Sequence, residues 1–159
     1  MFATIQWGAV ENGCFGYENL PSRMNWIIGN ETRTIEWKDR SDRGIKTLVI
    51  NQLRAALAIA TIQIDTVLTE YFGNQPYQDA EPERKSVRCI IYMIRCAFAH
   101  NPLEPKWEVR NQNYSRVFSV PSINFTLNAT NLDGRPLDDA NINWCILLDL
   151  MEYCENLIV

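Results

Sequence analysis

From Ser41 and Asp42 onward, apolar side chains recur at Ile45, Leu48, Val49, Leu53, Ala56, Leu57, Ala60, Ile64, Val67, Leu68 and Tyr71. That spacing predicts one helix running to about Phe72, with Ser41 or Asp42 as its N-cap and Gly73-Asn74 as its stop. At 1.5 Å per residue it would be roughly 45 Å long. Its middle, Ala55 to Leu68, is apolar on a second side too, through Ala55, Ile59 and Ile62. Two apolar faces need two partners: the chain's own core covers one, and a second subunit, or a further helix from residues 1–40, covers the other.

After the polar connection Asn74 to Pro82, the stripe Val87, Ile90, Ile91, Ile94, Ala97 and Phe98 predicts a second helix over about Glu83 to Ala99. Pro102 disfavours helical backbone at Asn101, so this helix should stop at or about His100. The period then changes. Trp107 and Val109 alternate with polar neighbours, Val117 to Val120 reads as a strand, and Ile123, Phe125 and Leu127 alternate with Asn124, Thr126 and Asn128. Pro121-Ser122 and Asn131-Leu132-Asp133-Gly134 are turn signals. A last helix is expected from Asp138 or Asp139, turning Ile142, Ile146, Leu150, Tyr153 and Leu157 inward. Residues 1–40 are the least patterned, with a short helix expected near 22–29. The fold class is therefore mainly α, with a small β-hairpin or β-meander insert before the C-terminal helix, and 159 residues suit one domain spanning 1–159.

Composition narrows the function classes. A net charge of −4 argues against a protein that coats nucleic acid non-specifically, since such binding rests on many Lys and Arg contacts to phosphate. Local basic groups remain, at Arg33, Lys38, Arg40, Arg43 and Lys46 and again at Arg84, Lys85, Arg88 and Arg95. Five scattered cysteines show no metal-ligand spacing and read as reduced thiols. The start of the chain does not read as a secretory leader, and no uninterrupted apolar stretch reaches the roughly 20 residues of a membrane helix, so a cytoplasmic protein without membrane contact is expected. The N-x-S/T sequences at Asn30, Asn113, Asn124 and Asn128 then carry no meaning for glycosylation.

Arg95 and His100, the chain's one histidine, carry the pointed chemistry. Arginine offers a planar fork for phosphate oxygens, and histidine exchanges protons near neutral pH, so a helix end bearing both is a minimal kit for phosphodiester cleavage. The alternative is structural: His100 caps the last carbonyls of its helix and Arg95 pairs with an acid. Arg88, Tyr92 and Arg95 follow at i, i+4 and i+7, a row able to face an anionic ligand such as RNA. Asp65 is the one charge between Arg54 and Glu70; it faces solvent, or it pairs with Arg95 or Arg88 and orients the motif. Cys96 lacks the setting of a thiol nucleophile. No metal-ligand set and no cofactor or phosphate-loop motif occurs, so no cofactor is expected.

The R-x4-H pattern of Arg95 and His100, at the C-terminal end of a helix preceded by another long helix, resembles the signature of the HEPN (higher eukaryotes and prokaryotes nucleotide-binding) superfamily. The likeness covers residues 42–101. It implies an antiparallel helical bundle, often dimeric, with Arg95 and His100 in a cleft shared by two subunits and with Cys96 and Asn101 as flanking support. The residue after the motif arginine is commonly polar, and here it is Cys96. The activity implied is that of a metal-independent endoribonuclease acting as a homodimeric toxin or defence effector, with RNA as substrate and an antitoxin as partner. The rival is a non-catalytic module of the same kind that binds RNA, a nucleotide or a protein.

Overall fold

Helical periodicity is realised as α1 (Asp42–Phe72), α2 (Pro82–His100) and, after the β-rich stretch, α3 (Trp144–Asn156). Strands β1 (Arg23–Ile28) and β2 (Glu31–Glu36) pair antiparallel, as do β3 (Val117–Val120) and β4 (Phe125–Asn128). This computed structural model describes residues 23–28, 31–36, 42–138 and 140–158. It divides into two compact units, residues 1–56 and 57–159. The chain is mainly helical, as its periodicity predicts.

In the first unit the short helix expected near 22–29 is instead strand β1. Ile28 pairs with Glu31 and Arg23 with Glu36. The two residues between, Gly29-Asn30, are types that favour a tight hairpin connection, and Ile27, Ile28, Thr32, Thr34 and Ile35 are β-branched. That local chemistry outweighs the weak helical spacing.

The second unit is built around α2. Glu81 caps it by accepting from the backbone N–H groups of Glu83 and Arg84, and Pro82 opens it where its missing donor costs nothing. Every residue of its expected stripe is buried, and so are Cys89 and Met93. The α1 segment from Leu57 lies beside it in the opposite direction, because Phe72 accepts from Arg88 while Asp65, seven residues earlier, meets Arg95.

The buried face of that α1 segment differs from the expected one. Leu57, Ala58, Thr61, Asp65 and Leu68 point inward, whereas Ala56 and Tyr71 are exposed. Thr61 can be enclosed because its hydroxyl donates to the carbonyls of Leu57 and Ala58 at 2.9 and 3.0 Å. Ile64 and Val67 line a groove of about 630 Å³ together with Leu148, Met151 and Ile158. Ile59 and Ile62 stand 59% and 41% exposed, so among the described residues the second apolar side is left open at these positions. Thr47–Phe72 is also long and apolar enough, by length and composition, to cross a membrane, although Arg54, Asp65 and Glu70 interrupt it.

The β3–β4 hairpin closes through Pro121–Ile123 and a left-handed Asn124 (φ 51°), a backbone that asparagine tolerates. Strand β3 packs on α2, and the hairpin turn is tied to it by Ser122 N–H donating to Glu83 Oε1 at 2.7 Å. Trp107 and Val109 are buried as their alternation suggests, but their segment forms only an isolated bridge, Lys106 with Pro136. Helix α3 starts at Trp144 rather than Asp138 or Asp139. Asp138 accepts from Ala140 N–H and from the Asn141 amide in a local turn, and Asn143 is the true cap, accepting from Ile146 N–H at 2.9 Å. Asp139 lies outside the described residues.

Candidate functional site

Helix α2 ends at His100, as the following Asn101-Pro102 dictates. Asn101 adopts extended backbone, and its side chain accepts from the N–H groups of Leu103 and Glu104 at 3.1 and 3.2 Å. It is thus a turn-forming residue that sends the chain back past the helix end.

Arg95 is 39% exposed, and its Nε lies 3.5 Å from Asp65 Oδ2. Of the two positions open to Asp65, the paired one is the one adopted. Burial pushes the Asp65 carboxyl up, and the charges of Arg95 and then Arg88 oppose that shift. The Arg95 guanidinium also lies 5.8 Å from the Tyr92 ring centroid, and its Nη1 is 3.9 Å from Cys96 Sγ. Tyr92 stacks on buried Tyr114 at 5.0 Å, the planes 18° apart. Its phenol is pushed up by burial first and by neighbouring Cys96 second.

Arg88 corrects the expected RNA-facing row. Only 2% of its side chain is exposed, and its fork is committed to Asp79 Oδ2 at 2.8 Å and to the carbonyls of Phe72 (3.1 Å) and Gly73. Arg84 holds the other side of Asp79, at 2.8 Å. Burial alone would raise the Asp79 carboxyl, but hydrogen bonds from Arg84 and Arg88 outweigh it and hold the group well below the usual carboxylate range. Arg88 therefore locks the α1–α2 corner. With Tyr92 stacked between Tyr114 and Arg95, the row contributes to the surface chiefly Arg95.

His100 is 68% exposed, and its Nε2 lies 3.1 Å from Glu108 Oε2. Glu108 Oε1 is 3.6 Å from Arg110. Glu108 was not singled out from the sequence; its one signal is a lone acid between two inward-facing apolar residues, Trp107 and Val109.

The motif thus forms two clusters, Arg95 with Asp65, Tyr92 and Cys96, and His100 with Glu108. No hydrogen bond or ion pair among the described residues joins Arg95 to His100. Helix geometry accounts for this, since five residues along a helix rotate the side chain by about 140° and advance it by about 7.5 Å. Among the described residues no group of three or more His, Cys, Asp or Glu is placed to hold a metal ion. Comparison with protein-family models, curated proteins and solved structures finds no match for the chain.

Proposed function

We propose that the protein is a HEPN-like, metal-independent endoribonuclease that works as a homodimer and serves as a toxin or defence effector, an antitoxin being its natural partner. The observation that carries this reading is the end of α2: in a helix otherwise buried from Val87 to Phe98 along its apolar stripe, Arg95 and His100 remain exposed, each with a carboxylate at its side. In the proposed reaction His100 takes the proton of the substrate's 2′-hydroxyl as O2′ bonds to the adjacent phosphorus. The bond from phosphorus to O5′ breaks, and an imidazolium returns a proton to that leaving oxygen. Arg95 offsets charge on the phosphoryl oxygens. The products are a 2′,3′-cyclic phosphate and a 5′-hydroxyl.

Incubation of a labelled RNA with the purified protein in excess EDTA tests the reading. Cyclic phosphate ends are expected from RNA and no products from DNA, which lacks the attacking hydroxyl. Growth of bacteria expressing the chain should slow, and the His100→Ala form should be tolerated at equal abundance. A second reading, a non-catalytic module that binds RNA, a nucleotide or a protein, is favoured by the separation of Arg95 from His100. Salt-dependent RNA binding without cleavage would select it.

A further inference from the structure

Glu108 stands on a ledge that the fold holds rigidly. Trp107 is fully buried and Val109 nearly so, on either side of it. The Trp107 N–H donates to the Arg135 carbonyl and the Trp107 carbonyl accepts from Gly134 N–H, both at 2.9 Å. Val109 N–H donates to Asp133 Oδ1 at 2.8 Å. With its neighbours fixed inward, the intervening side chain is directed outward, and there it meets the imidazole of His100 at 3.1 Å. His100 itself has little to hold it, being the last residue of α2 and mostly exposed.

From this arrangement we infer that Glu108 is the positioning residue of His100: it accepts the Nε2 proton, fixes the ring, and leaves Nδ1 as the nitrogen offered to substrate. The role rests on the ribonuclease reading for its catalytic consequence, though not for its structural one. Which ring nitrogen is free to act is set by the hydrogen bond made by the other. A carboxylate on the far nitrogen also stabilises the imidazolium formed when Nδ1 takes a proton, the part that an acid plays behind a catalytic histidine in other hydrolases. Arg110 lies beside the second oxygen of the same carboxylate, at 3.6 Å, without entering the His100 contact.

Because the chain has one histidine, its ring C–H signals are unique in a nuclear magnetic resonance spectrum. Relaxation of the ring Cδ2 and Cε1 should match the backbone of α2 in the parent protein and show independent motion in Glu108→Ala. Glu108→Gln, whose amide oxygen still accepts from Nε2, should restore the order. With RNA, Glu108→Ala should lower kcat about tenfold at unchanged KM, and Glu108→Gln should fall between the two. A ring as ordered in Glu108→Ala as in the parent overturns the inference, as does an unchanged kcat. Loss of ring order in Glu108→Ala, in a parent protein that cleaves no RNA, upholds the positioning and overturns the ribonuclease reading alone.

Discussion

Replacing His100 removes the chain's sole imidazole, and replacing Arg95 removes the last cation of α2, so in the proposed reaction each change to alanine should lower RNA cleavage by at least about 100-fold. Neither should unfold the protein, because both side chains stand partly or mostly in solvent. Thermal melts beside the cleavage assay distinguish lost chemistry from lost structure. Asp65 is the more telling position. An acid whose carboxyl is raised in the folded state contributes stability at low pH and loses it as pH rises through the folded value. Asp65→Asn is therefore expected to melt no lower than the parent at pH 7, with its relative stability greater there than near pH 4. Cleavage should still fall, since Arg95 loses its anchor. A melt lowered more at pH 7 than near pH 4 would show instead that the pair with Arg95 outweighs the burial of the charge.

At the scale of elements, the corner between α1 and α2 depends on Asp79. Asp79→Asn leaves Arg88 enclosed beside a neutral amide, and the loss of one partner of a buried pair costs about 3–5 kcal/mol. The sign with pH is opposite to that of Asp65. A carboxyl lowered in the folded state adds stability that is complete above its unfolded value, near pH 4, and is lost as pH falls further. Urea melts at pH 7 and pH 3 should show the gap between parent and variant narrowing in acid; a constant gap would place the cost in packing. The same corner explains what was legible in the sequence. Both long helices, the β3–β4 hairpin and the stop at His100 follow from periodicity and from Pro102. The inward face of α1 does not, because Thr61 and Asp65 are polar residues satisfied by partners that periodicity cannot see. Arg88 looks like a surface cation until Asp79 and the carbonyls of Phe72 and Gly73 close over it. Asp65 was visible as a lone charge in an apolar run. Glu108 was not, since its approach to His100 depends on the turn that Asn101 makes.

At the scale of the whole molecule, the proposed reaction requires Arg95 and His100 to act on one phosphate. Helix geometry sends them to different sides of α2, and one chain supplies one imidazole for the two proton transfers of the reaction. A second copy resolves both difficulties if its motif meets the first across a two-fold axis. The exposed apolar side of α1 suits such a contact, because Ile62 is the i, i+3 neighbour of Asp65 and thus lies along the edge that holds Arg95. Sedimentation at micromolar concentration is expected to give one species of twice the chain mass, and Ile62→Lys to give a folded monomer. The sharper experiment mixes two inactive proteins. His100→Ala retains Arg95, and Arg95→Ala retains His100, so subunits exchanged between them reunite one arginine with one imidazole in a shared cleft. Cleavage should reappear on mixing, below the parent rate because one of the two imidazoles is still missing, and should vanish when both variants also carry Ile62→Lys. Two variants that exchange subunits yet stay inactive together would show that one arginine and one imidazole, supplied by different subunits, do not suffice for cleavage.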